Sequence, residues 1–198
     1  MGSEMCIRDR YEPGHPRSSA GPRPYAGPVP GDPMFGHAFD DVLAANATYA
    51  RTYASGQLPA RASKGLAVLT CMDSRIDPLR MLGLQPGDAK ILRNGGARVT
   101  DDVLRTLVVA SYLLGVERVM VVAHTRCRLT GVTEEQLHDE ISSAGGPDTR
   151  SIAFLTTTDQ VKALVGDVQR VRSWPYLGAV RVGGFLYDLD TGTLDQVS

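Results

Sequence analysis

The chain has 198 residues, 42% of them hydrophobic and 22% charged, a balance that matches an ordinary globular protein large enough for one core of its own. A formal net charge of -1 and a pI near 6.4 remove any broad electrostatic reason to expect nucleic acid or an anionic membrane as partner. No apolar stretch reaches the roughly 20 residues that a membrane span needs, and the N-terminus carries neither a secretory pattern nor an acylation motif, so a cytoplasmic protein with reduced thiols is expected.

Residues 1–33 hold 7 of the 12 prolines and few aliphatics, a composition that predicts a disordered tail. Within it, residues 5–10 (MCIRDR) match the translation of a transposase adapter used in sequencing libraries and read as a start that is not native; the other reading is a genuine flexible extension. Residues 34–198 are then expected to form a single folded domain. Apolar residues at 39, 42, 43, 50 and 53 predict a helix with one imperfect apolar face, suited to packing on another subunit.

Residues 64–70 (KGLAVLT) read as a strand of a covered parallel sheet, and they deliver Cys71-Met72-Asp73-Ser74-Arg75 at its carboxyl end. Asp77 before Pro78 predicts a capped short helix running to 82 and stopped by Gly83, and Pro86-Gly87-Asp88 predicts a turn. A second strand over 89–92 ends at Arg93-Asn94-Gly95-Gly96, where the glycines permit positive φ or close backbone approach. A helix over 101–114, capped by Thr100 and ended by Gly115, has apolar residues on more than one stripe and is expected to be largely buried. The β-branched run 118–123 is the clearest strand, and it delivers His124-Thr125-Arg126-Cys127. Thr133 with Gln136 and Thr157 with Gln160 have capping-box spacing, opening helices toward 141 and 172; the latter places Val161, Leu164, Val165, Val168 and Val171 on one face. Residues 179–188 predict a terminal strand, followed by a turn at 190–192 and a hairpin return. The sum is an α/β fold: a mainly parallel central sheet, about four parallel strands plus a C-terminal edge strand, flanked by helices.

An odd count of 3 cysteines in a cytoplasmic chain points to metal binding or chemistry before disulfides, with a Cys71–Cys127 bridge as the minor alternative. Two thiolates and an imidazole suit zinc, which is borderline-soft and tetrahedral. Cys71 and His124 are separated by a strand, helix, strand, helix unit that brings two adjacent strand ends together, and Cys127 follows His124 by one loop turn. Asp73 can reach the same ion, while Arg75 competes for its carboxylate; this pairing describes a switch in which Asp73 either closes the fourth position or leaves it to water. Zinc-bound hydroxide is the expected nucleophile, less acidic than with three neutral histidines because the thiolates offset the charge of the ion. The bland readings are a buried thiol for each cysteine, a surface ion pair for Asp73 and Arg75, and a solvated helix residue for His138.

CMDSR, RNGG and HTRC, taken together, resemble the β-class carbonic anhydrases, especially the small bacterial type, over about residues 35–198. The resemblance implies one Zn²⁺ per subunit on Cys71, His124 and Cys127, an Asp73–Arg75 dyad in which Asp73 also serves as the exchangeable ligand, and reversible hydration of carbon dioxide to bicarbonate. It also implies a homodimer or larger assembly with the pocket near the subunit interface. On this reading Ser74 and the Gly95–Gly96 backbone shape the pocket. Arg126 and Arg128 depart from the pattern, which often has an acidic residue and a glycine there, and two cations beside zinc would either favour an anion or obstruct the site. Two other functions use the same residues: hydrolysis of carbonyl sulfide or carbon disulfide, and a non-catalytic zinc- or bicarbonate-binding module.

Overall fold

The structure is a computed structural model that describes residues 38–54, 56 and 58–198; the tail over 1–33 and its start lie outside the described residues. The described residues fall into two compact units, one up to Ala54 and one after it. In the first, helix α1 (Asp40–Ala50) opens with Asp40 and Asp41, whose charge suits the positive end of the helix dipole. None of its residues is buried, and Phe39, Val42, Leu43, Tyr49 and Tyr53 are exposed.

The second unit is built on a five-stranded sheet. Its strands are β1 (Leu66–Cys71), β2 (Ala89–Asn94), β3 (Arg118–His124), β4 (Arg181–Tyr187) and β5 (Leu194–Gln196), in the order β2-β1-β3-β4-β5. The first four run parallel and β5 returns antiparallel to β4, as the sequence predicts. Strand β1 is buried throughout because helices cover the sheet, so its side chains alternate between two cores. Ala67 and Leu69 join Val99, Leu104, Leu107, Val121 and Val168 on one side, while Leu66 and Val68 join Leu84 and Val122 on the other.

Asp77 caps α2 (Pro78–Met81) by accepting from the backbone N–H groups of Leu79 and Arg80. Thr100 caps α3 (Asp101–Leu113), and a complete capping box of Thr133 and Gln136 opens α4 (Glu134–Ser143). Helix α3 is less buried than its composition predicts. Val103, Leu104, Leu107 and Ala110 form the stripe against the sheet, whereas Val109, Tyr112 and Leu113 lie outside that stripe and are exposed.

Helix α5 (Gln160–Arg172) starts on a different cap from the one its spacing predicts. Asp159 Oδ1 accepts from Lys162 N at 3.0 Å, and the Thr157 hydroxyl instead bonds the backbone of Asp159. A short carboxylate next to the helix outcompetes the hydroxyl two residues earlier, and this leaves the Gln160 side chain free. Leu164, Val168 and Val171 are buried, but Val161 and Val165 are exposed; Val165 stands one residue, about 100°, off the buried stripe. No helix among the described residues is long and apolar enough to cross a membrane.

The chain goes from β1 outward to β2 and then back across to β3, so the strand order reverses between β1 and β3. Ligands in open α/β sheets sit outside the carboxyl ends of strands at such a switch point, and there Cys71 and His124 end their strands.

Candidate metal centre

Cys71, His124 and Cys127 converge: one ligand atom from each lies within 4.8 Å of the others, and all three residues are buried. Adjacent parallel strands supply the first two. The loop after β3 folds back to supply the third, with Arg126 in the left-handed region at φ 56° and the Cys127 carbonyl accepting from Thr130 N at 3.0 Å.

His124 is prepared as a ligand. Its Nδ1 lies 2.9 Å from the carbonyl oxygen of Thr125, and since a carbonyl only accepts, Nδ1 carries the proton and Nε2 the lone pair. Among the described residues, His124 Nε2 is the buried side-chain nitrogen or oxygen left without a hydrogen-bond partner. Leaving a buried polar atom unsatisfied costs about 1–3 kcal/mol, and a bound cation removes that cost. The backbone that carries the ring is held by Gln160 Nε2, which donates to the His124 carbonyl at 2.8 Å, and by Thr125 N, which donates to Tyr187 O at 2.9 Å.

The two thiols are electrostatically unequal. The Cys127 S–H donates to the Cys71 sulfur, and the backbone N–H groups of Asp73 and Gly96 add to the effect, so Cys71 is drawn well below the usual thiol range although burial opposes this. The same shared proton, with burial, pushes Cys127 up. These residues fit a cation of the zinc type, which would take the place of that proton because thiolates are its preferred ligands.

Asp73 stands beside this cluster, its Oδ2 3.9 Å from His124 Nε2. Arg75 grips it with a fork: Nε donates to Oδ1 at 2.9 Å and Nη2 to Oδ2 at 2.6 Å, and Arg75 N donates to Oδ1 at 3.0 Å. These bonds hold the Asp73 carboxyl well below the ordinary carboxylate range, against a smaller opposing effect of burial. Arg75 Nη2 also donates to the carbonyl of Arg126 at 3.2 Å, which ties the dyad to the loop of Cys127.

The glycine turn is closed by Asn94, whose side chain accepts from Arg98 N and donates to Arg98 O. Gly96 has φ +74°, which favours glycine, and a Cβ on Gly95 would sit 3.0 Å from Leu129 Cδ1, so a larger residue there would push the leucine aside. Ser74 is exposed. Arg126 and Arg128 do not turn their charges on Asp73: Arg126 Nη2 pairs with Asp190 Oδ1 at 2.8 Å, and Arg128 pairs with Glu140. His138 is not a solvated helix residue. Its Nδ1 lies 2.9 Å from Thr149 Oγ1 and its ring packs on Phe154, because the loop after α4 folds back over it.

Arg93 is the site residue that sequence reasoning left without a role. Its guanidinium donates through Nε to the Cys71 carbonyl at 2.9 Å and through Nη2 to the Asp73 carbonyl at 2.7 Å. The signal was its place in RNGG, at the end of a strand paired in register with β1. Gln160 was also passed over, as a capping residue.

A family profile described as carbonic anhydrase matches residues 66–146, from the start of β1 past the end of α4. The chain belongs to the β-carbonic anhydrase family. It is 33% identical over 162 residues to β-carbonic anhydrase 1 of Mycobacterium tuberculosis, a match that covers 80% of this chain and 97% of the relative. The crystal structure of a carbonic anhydrase from Streptococcus mutans has the same fold, with a TM-score of 0.76 at 34% identity, covering 81% of this chain and 97% of that one. A carbon disulfide hydrolase from Acidianus is 40% identical over 83 residues, 42% of this chain and 41% of that protein.

Proposed function

We propose that the protein hydrates carbon dioxide reversibly to bicarbonate, with one Zn²⁺ per subunit held by Cys71, His124 and Cys127. The observation that carries this reading is the buried, unpartnered Nε2 of His124 beside two thiols, with a carboxylate held 3.9 Å away by an arginine. When bound, the ion supplies a Lewis acid that makes a nucleophile of water near neutral pH. Thr125 fixes the tautomer that presents Nε2 to it. Arg75 holds Asp73 beside the three ligand residues, where its carboxylate would accept a hydrogen bond from a reacting water; freed from Arg75, the same carboxylate would be available as a fourth ligand. Ser74 and the Gly95–Gly96 backbone border the pocket in this reading. Two thiolate ligands reduce the charge that the ion presents, so activity is expected to rise with pH above neutrality.

Stopped-flow carbon dioxide hydration by wild type and Asp73→Asn, with zinc measured in both, tests the assignment. Absence of hydration by zinc-loaded wild type sinks it. The likeness to a carbon disulfide hydrolase supports a second reading, hydrolysis of carbon disulfide or carbonyl sulfide on the same residues, which hydrogen sulfide release in the same protein detects. The pairing of Arg126 with Asp190 and of Arg128 with Glu140 weighs against a non-catalytic module in which these cations block the site. We place the enzyme in the cytoplasm as a homodimer or larger assembly; light scattering on the purified chain tests the assembly.

A further inference from the structure

We infer that Arg126 and the turn between β4 and β5 form a brace that positions Arg75, and through Arg75 sets how firmly Asp73 is held away from the metal ligands. The inference rests on the gate role given to Asp73 above.

Arg126 does two things at once. Its backbone stands in the left-handed region at φ 56°, a conformation an L side chain rarely adopts without a compensating contact. That conformation accompanies a carbonyl that accepts from Arg75 Nη2 at 3.2 Å. Its side chain meanwhile reaches the turn after β4, where Nη2 lies 2.8 Å from Asp190 Oδ1. The ion pair thus ties down the residue whose carbonyl is, among the described residues, the one acceptor of Arg75 outside Asp73.

The turn is itself built to be firm. Asp188 Oδ1 accepts from the backbone N–H groups of Asp190 and Thr191, and Asp188 N donates to Thr193 O at 2.9 Å. It is also stitched to the metal loop one residue before Arg126, because Leu189 N donates to Thr125 Oγ1 at 3.0 Å and Thr125 N donates to Tyr187 O. Asp190 and Asp188 both lie in the field of the neighbouring arginines: Asp190 acts on Arg75 as well as on Arg126, and Arg126 acts on Asp188. The guanidinium of Arg75 therefore has one face set by Asp73 and its position set by a loop that the turn anchors. Loosening the anchor frees Arg75 to swing, and the bidentate grip on Asp73 weakens with it.

The experiment reads the grip directly. The Nε–H of Arg75, assigned in a nitrogen-edited NMR spectrum by its loss in Arg75→Lys, exchanges with solvent at a rate that reports its bond to Asp73. Arg126→Gly removes the side chain while keeping a residue that tolerates positive φ, and Asp190→Asn removes the partner charge. Each is expected to speed this exchange by about 1.5- to 5-fold, the range for an exposed ion pair, and the charge-swapped R126D/D190R protein is expected to recover most of the difference. Unchanged exchange in both single variants overturns the inference. So does faster exchange that the swap fails to restore, since that outcome marks local disorder in place of a specific pair. Failure of the gate reading appears elsewhere, as wild-type hydration by zinc-loaded Asp73→Asn, and is not confused with either result.

Discussion

His124 Nδ1 and the carbonyl oxygen of Thr125 are 2.9 Å apart, and this one bond leaves the other ring nitrogen as a buried lone pair that no group among the described residues satisfies. The bond is local, between neighbours at the end of β3, so the imidazole is oriented by the strand itself. Any metal affinity of the site would then also depend on the two sulfurs that complete the cluster.

Cys127→Ala removes one of those sulfurs together with the link between the β3 loop and β1. Metal analysis after purification is expected to find wild type with about one zinc per subunit and the variant with almost none. A chelator is expected to lower the Tm of wild type and leave the Tm of the variant unmoved, because metal binding free energy is folding free energy where the ion joins separate loops. Unchanged zinc stoichiometry in Cys127→Ala would take this residue out of the ligand set.

Arg93 fixes the backbone that carries both Cys71 and Asp73, through two carbonyls that no other described side chain contacts. Arg93→Ala is expected to weaken zinc binding by roughly 10- to 100-fold, the range for groups that orient metal ligands. Arg93→Lys is expected to recover little of it, since an ammonium is a point donor and cannot reproduce a rigid fork across two acceptors. Competition titration with a chromophoric chelator measures both variants, and a fully active lysine variant would reduce Arg93 to a mere positive charge.

Glu134 supplies a pH test remote from the metal. Its carboxylate accepts from Phe154 N, Thr156 N and the Thr156 hydroxyl, and so closes the loop that packs on His138. These bonds, the backbone ones first, lower its pKa below the ordinary carboxylate value. A depressed folded pKa contributes stability that is present above the unfolded value of about 4.3 and is lost as pH falls through the lower folded value. The side chain is 39% exposed, so solvent screening keeps the effect small. Glu134→Gln is expected to lower Tm by about 2–4 °C at pH 7, with the two proteins converging as pH falls through the lowered pKa of Glu134. Equal melting temperatures at pH 7 would remove the proposed clasp.

The sequence made the site legible where chemistry and periodicity coincide. Strands β1 and β3 are short apolar runs that end on Cys71 and His124, and any parallel pairing of them brings those residues together. What was not legible depends on partners far along the chain or on backbone atoms. The charges of Arg126 and Arg128 looked aimed at the metal because Asp190 and Glu140 cannot be placed beside them from spacing alone. Arg93 bonds carbonyl oxygens, which every residue has, so no side chain marked its target. The burial of His138 depends on a returning loop with no periodic pattern. At α5 two caps competed within three residues, and local geometry chose the carboxylate of Asp159 over the hydroxyl of Thr157.

The packing of α5 on β4 places the last test on two glycines in neighbouring elements. Gly184 is buried in β4, paired with Val121 of β3, and a Cβ there would stand 2.9 Å from Val168 Cγ2 and 3.2 Å from Leu164 Cγ. Both clashing side chains are buried in the core, so one of them must shift to admit the methyl group and Gly184→Ala is expected to cost about 1–3 kcal/mol. Gly166, by contrast, is on the exposed side of α5 with nothing within 4 Å of its Cβ position. There alanine meets no obstacle and restricts the unfolded chain, so Gly166→Ala is expected to stabilise by about 0.5–1 kcal/mol. Denaturant melts of the two single variants should therefore move in opposite directions from wild type. A Gly184→Ala protein as stable as wild type would mean that the helix lies farther from the strand than these contacts require, and with it the support that Gln160 of α5 gives to the His124 carbonyl.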